Sequence, residues 1–165
     1  MKLWQKIFLS TIALVMIAIN ITSFLLNSNY HKLSLELKEQ NAVSNNEYIS
    51  ANIKNIVIYR KPSKGLKQLS YGELITAFNS VLISQQGNST QSIAILSNEK
   101  VLSSINNPAI ISMDIKQDNI SVKTIQNNNS FFLITASNIL IDNATYTVYM
   151  TNDISDIFIQ YNIQN

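Results

Sequence analysis

The side chains that could do chemistry are few, and their spacing excludes most chemistry. His31 is the single histidine, and imidazole is the side chain whose ordinary pKa lies nearest neutrality. Ten carboxylates are scattered along the chain without a cluster, whereas general acid–base work needs two or more positioned titratable groups. Cysteine is absent, which removes disulfides, thiolate zinc sites and cysteine nucleophiles. No histidine pair at metal-ligand spacing, no Gly-x-Ser-x-Gly and no glycine-rich phosphate loop occurs. The sequence therefore predicts no catalytic residue, no metal site and no cofactor, and the chain reads as a non-enzyme.

Four smaller groups remain, each with a plainer reading beside the functional one. His31 at a membrane boundary is a candidate pH sensor, though a solvated or headgroup-contacting imidazole explains it more simply. Arg60, Lys61, Lys64 and Lys67 form the one basic cluster and suit an anion, but also suit a solvated turn. Asp153 and Asp156 suit a cation, and equally the N-terminus of a helix, where negative charge is favoured. Phe131, Phe132, Tyr146 and Tyr149 suit a pocket between sheet and helix, or simply the core of a sheet. Asn88, Asn128 and Asn143 each open an Asn-x-Ser/Thr triplet, but with 22 asparagines in 165 residues such triplets arise by chance and no glycosylation is assigned.

These residues must be positioned by a chain that is 46% hydrophobic and only 13% charged, with three Gly and two Pro. The low charge argues against long disorder and against a coiled coil, and a net charge of +2 is too small for nucleic-acid binding. Residues 7–26 carry no charge, and at 1.5 Å per residue they cover about 30 Å, the thickness of a bilayer's hydrocarbon core. Trp4 and Tyr30 fall where interfacial aromatics belong. A cleaved signal peptide would have a shorter apolar stretch and a small-x-small exit, and Ser23-Phe24-Leu25-Leu26-Asn27-Ser28 is not one. A type IV pilin is disfavoured, since no processing glycine precedes the apolar run. Lys2 and Lys6 precede the span without an acid, which puts the amino terminus (1–6) in the cytoplasm and the remainder outside.

The remainder reads as α+β. Residues 27–61 predict a membrane-emergent helix with apolar residues at Tyr30, Leu33 and Leu37, then Ile49, Ile53 and Ile56, a weak stretch at 41–46, and a stop at Lys61-Pro62. Ser70 and Glu73 fit a capping box opening a second helix over 71–86. Extended runs follow at 92–97, 100–105, 120–125, 130–136 and 145–151, joined by Asn-rich turns that imply an antiparallel sheet of about five strands. Residues 110–115 fit either a strand or a short helix. A short C-terminal helix carries Ile154, Ile157, Phe158 and Tyr161 on one face, with Asn152 or Asp153 as its cap.

That order resembles the extracytoplasmic sensor region, of PAS-like or Cache type, of bacterial two-component sensor histidine kinases. The closest local match is Tyr146-Thr147-Val148-Tyr149-Met150-Thr151-Asn152-Asp153-Ile154-Ser155-Asp156-Ile157-Phe158, which is similar to the last strand of such a sensor and the short helix leading to a second membrane span. Residues 93–102 are similar to its first hairpin, with Asn98-Glu99 where Asn-Gly or Asp-Gly is more typical. The resemblance implies a PAS-like domain over 62–165, a cell-membrane location with residues 27–165 outside, a homodimer, the bilayer as partner of residues 7–26, and an extracellular small-molecule or peptide signal. The phosphoacceptor histidine, the nucleotide-binding motifs and the second span have no counterpart, so the expectation is a sensing region without its kinase core. The alternative expectation is a single-pass anchored domain that presents an interaction surface outside the cell without signalling.

Overall fold

A computed structural model describes residues 3–63, 65, 68–85, 91–106, 108, 110–111, 113, 115, 119–128 and 130–164. Helix α1, Leu3–Ser63, comes first, and it is helical throughout, including residues 41–46. Its carboxyl end passes the expected stop by two residues: Pro62 lies in the last turn, where only the end of the hydrogen-bond ladder is left to disturb. Helix α2 covers Tyr71–Ser84, and Glu73 reaches back as expected, its Oε2 accepting from Ser70 N at 3.0 Å and Ser70 Oγ at 2.9 Å. The strands are β1 (Gln91–Ser97), β2 (Lys100–Ile105), β3 (Ser121–Asn127), β4 (Ser130–Ile141) and β5 (Ala144–Asp153), and α3 (Ser155–Gln164) follows. The architecture is α+β: a long apolar helix, a five-stranded open antiparallel sheet and a short C-terminal helix.

Contacts divide the chain into two compact units, Met1–Leu37 with Asp156–Asn165, and Lys38–Ser155. The first holds a helical stretch that is long and apolar enough to cross a membrane: its best 18-residue window has a mean hydropathy of 2.2 and none of it is buried. Four of the polar residues that interrupt this stretch bond their own helix. Ser10 Oγ and Thr11 Oγ1 donate to Ile7 O at 2.8 and 2.9 Å, Asn20 Nδ2 to Met16 O at 2.8 Å, and Thr22 Oγ1 to Ala18 O at 2.8 Å. A polar side chain satisfied within its own turn can face a solvent that offers no hydrogen bonds.

The second unit is built on the sheet, in the order β2-β1-β5-β4-β3 with every neighbouring pair antiparallel. The first and last strands in sequence are thus paired near its middle. Strand parity sorts the core into two faces. Ile93, Ile95, Ile139, Ile141, Tyr146, Val148 and Met150 share one cluster with Ile49, Ile53 and Val57 of α1 and Phe78, Val81 and Leu82 of α2. Ala94, Leu96, Ile134, Ala136 and Tyr149 form the other, covered by Ile111, Met113, Ile115 and Ile125. The expectation that β1 is apolar on both faces holds. β4 runs five residues past the expected end, because Ser137, Ile139 and Ile141 keep the inward alternation going. The described residues of 110–115 are neither strand nor helix, yet Ile111, Met113 and Ile115 alternate inward onto the second cluster.

Two hairpin turns use non-glycine residues at positive φ: Asn98 and Glu99 at 48° and 64°, Asp142 and Asn143 at 51° and 65°. Two successive left-handed residues make the turn whose twist matches the flanking strands. Asn and Asp tolerate that conformation, but Glu does not, at a cost of about 1–2 kcal/mol. Glu99→Gly removes the Cβ strain and gives back part of it as chain entropy, so the variant should be stabilised by about 0.5–1 kcal/mol, measured as an increase in the urea midpoint at unchanged slope.

Candidate functional site

Where α1 crosses the sheet, its apolar stripe is interrupted by polar residues. Asn46 and Ser50 precede and follow Ile49 on the inward side of α1, and Thr135 and Ser137 occupy inward positions of β4; all four are buried, Asn46 and Thr135 completely. Asn46 Nδ2 donates to Thr135 Oγ1 at 3.2 Å and to Val148 O at 3.3 Å. Asn46 Oδ1 accepts from Ser137 Oγ at 2.5 Å, and Ser50 Oγ lies 2.9 Å from Ser137 Oγ and 3.4 Å from Asn46 Oδ1. Each hydroxyl has one proton. Ser137 gives its proton to the carboxamide, so Ser50 donates to Ser137. Both ends of the Asn46 amide are therefore satisfied by groups distant in sequence.

Ser50 and Ser137 also line a pocket of about 260 Å³ that lies between α1 and the sheet. Glu47, Ala51 and Lys54 border it on the helix side, and Asn119, Ile120, Asn138 and Ile139 on the sheet side. Glu47, Lys54 and Asn119 are exposed, whereas the two serines are buried. The amide of Asn138 is already engaged, donating to Ile115 O at 3.3 Å and accepting from Thr147 Oγ1 at 2.8 Å. The pocket thus combines opposite charges at its rim with hydroxyls in its lining.

The residues singled out from sequence do not converge there. His31 is half-buried, and its ring meets Phe158 of α3 edge-on, centroids 5.2 Å apart and planes at 77°. The two described members of the basic cluster have different partners. Arg60 Nη2 donates to Ser80 Oγ at 3.3 Å, and Lys61 pairs with Asp142. That ion pair is mostly shielded from solvent, its side chains 21% and 22% exposed, and so is screened less than a surface pair. Lys64, Lys67 and Asn88 lie outside the described residues, as does the side chain of Tyr161. Asp153 caps α3, its Oδ1 accepting from Ser155 N at 2.9 Å and Ser155 Oγ at 2.5 Å, while Asp156 stands in the first turn. The aromatics are split. Tyr146 packs edge-on to Phe78 at 5.3 Å on the helix-covered face, Tyr149 lies on the opposite face, and Phe131 and Phe132 are half-buried.

The sequence reading misses Asn46 because it lies in the stretch 41–46 that looks weak for a helix, and Ser137 because it lies just past the expected end of β4 at Ala136. The signal was there: Asn46, Ile49 and Ile53 follow the three–four spacing of a single helix face, and Ser137 keeps the parity of Ile139 and Ile141. No protein-family model and no curated protein matches this chain.

Two predictions follow from these contacts. Asn46→Ala leaves Thr135 and Ser137 buried without their partner and opens a small void, so it should cost about 2–4 kcal/mol, read from urea denaturation. Tyr146 and Tyr149 are both held protonated above the ordinary tyrosine value of about 10. Burial is the larger cause for each, followed by Asp142 and Tyr71 at Tyr146 and by Glu99 at Tyr149. The unfolded chain releases these protons first, so the tyrosines leave stability unchanged below about pH 10 and lower it as pH rises towards the folded-state values. The fall in urea midpoint between about pH 9 and 11 should be shallower in a Tyr146→Phe/Tyr149→Phe double variant.

Proposed function

We propose that this chain is the extracytoplasmic signal-sensing region of a membrane-bound two-component sensor histidine kinase, anchored through residues 7–26 with its amino terminus in the cytoplasm. The observation that carries the reading is the contact of Phe158 with His31. It places the last helix of the chain beside the first, within a few residues of the apolar stretch. A sensor that signals through two spans needs this arrangement, since its second span must enter the bilayer next to its first. The order of elements, a membrane-length helix followed by an antiparallel sheet and a short exit helix, also supports it.

In this reading a homodimer forms along the emergent helix, where Tyr30, Leu33 and Leu37 recur at spacings of three and four and are 62%, 54% and 50% exposed. A signal acts by binding one arrangement of the helices more tightly than another, which shifts their populations. Catalysis belongs to a kinase core downstream of Asn165.

The reading predicts two results. Sequencing the gene past the codon for Asn165 should reveal a second apolar stretch of about 20 residues and then a kinase core, whereas a stop codon there would leave the single-anchor interaction domain as the correct description. Alkaline phosphatase fused after Asn165 should be active outside the cell, and a fluorescent reporter that matures inside at the same position would reverse the assigned orientation.

A further inference from the structure

The pocket beside the buried amide has a charge pattern that specifies its ligand. Glu47 and Lys54 stand at its rim seven residues apart on α1, about 10.5 Å along the helix axis. That is beyond the three- or four-residue spacing at which helix ion pairs form, and neither side chain bonds any other described residue. Between them lie Ser50 and Ala51, and facing them Ser137. We propose that this pocket binds a small zwitterion, its ammonium towards Glu47 and its carboxylate towards Lys54, over the hydroxyls of Ser50 and Ser137.

Three observations select this class. A lone anion drawn to Lys54 would meet the like charge of Glu47, and a lone cation drawn to Glu47 would meet Lys54. A neutral polyol would use the hydroxyls but neither charge. A zwitterion answers both signs and keeps the occupied site neutral. The volume of about 260 Å³ is smaller than the clefts of roughly 300–1,000 Å³ that hold drug-sized ligands, so the ligand has few heavy atoms. Free α-amino acids and betaines share this chemistry. They differ in that an α-amino acid also donates N–H bonds to the Glu47 carboxylate, while a quaternary ammonium offers charge alone. Because Glu47, Ser50 and Lys54 come from α1 and Ser137 from β4, a bound zwitterion ties the helix to the sheet across the Asn46 contact. This inference names the signal class of the sensing region, and for that consequence it rests on the reading above.

The test uses the full chain in lipid nanodiscs, with thermal unfolding and calorimetric titration against the twenty common α-amino acids, glycine betaine, acetate, methylammonium and glucose. At least one zwitterion should raise the unfolding midpoint with its concentration, as a ligand of the native state must, while acetate, methylammonium and glucose do not. An α-amino acid that binds when betaine does not assigns the N–H donors a role, and betaine binding equally well assigns recognition to charge. Glu47→Gln and Lys54→Gln should each weaken the affinity at least tenfold, both measured against their own ligand-free midpoints. Failure of every zwitterion to shift the midpoint overturns the proposal, and so does undiminished affinity in both variants or equal stabilisation by glucose or acetate. Topology and the downstream gene are read separately. Zwitterion binding without a kinase core would keep the pocket and discard the sensor, and a kinase core without zwitterion binding would do the reverse.

Discussion

One carboxamide decides where α1 sits on the sheet. Apolar side chains attract without direction, so Ile49, Ile53 and Val57 alone would let the helix slide or turn against the strands at modest cost. Asn46 removes that freedom. Its amide is fully buried and meets a carbonyl of β5 and hydroxyls of β4 together. A displacement of one residue would strand a buried amide and two hydroxyls at once, each carrying a desolvation penalty of about 1–3 kcal/mol. The network is therefore worth more as a specification of position than as net stabilisation, because hydrogen bonds made in folding replace hydrogen bonds to water.

The same interface explains why the pocket lies where it does. A helix with a continuous apolar stripe would close against β4 along its length. Here Ser50 and Ser137 are short, are hydrogen-bonded to each other, and leave space beside them that Ile139 and Ala51 do not fill. Next to this polar seam the helix presents Glu47 and Lys54 one turn to either side. Rigidity at Asn46 and vacancy at Ser50 are adjacent properties of a single helical face, so anything that fills the vacancy acts directly on the contact that sets the helix position.

Much of the fold was legible in the sequence because it depends on local rules. The Ser70–Glu73 box, the Asn98-Glu99 and Asp142-Asn143 turns, and the alternation in β1 and β5 are decided within a few residues. The errors lie where distant residues decide. β4 was cut short at Ala136 since Ser137 looks like a break until β5 supplies a partner, Val148, across from it. The contact of His31 with Phe158 is not legible, because nothing near His31 in sequence announces that partner. Arg60 and Lys61 were read as a shared cluster, although consecutive residues on a helix point about 100° apart and so reach different neighbours, here Ser80 and Asp142. The candidate site was the least legible part. It consists of side chains that look weak for their own element and gain meaning only when two elements meet.

Asn20 and Asn46 show how far surroundings override residue type. Both are asparagines in the same helix. Asn20 is exposed in the apolar stretch and turns its Nδ2 back onto Met16 O, one turn earlier, at 2.8 Å. Asn46 directs its amide to β4 and β5. A side chain that faces hydrocarbon has no partner except its own backbone, and helices tolerate the local bond at small cost. A side chain that faces a sheet has a second set of donors and acceptors fixed in space, and satisfying them rewards one placement over all others. The local bond of Asn20 fixes nothing beyond its own turn, whereas the distant bonds of Asn46 fix this part of α1 against β4 and β5. Residue type is the same at both positions, and only the partners within reach decide whether the amide serves its own turn or a neighbouring element.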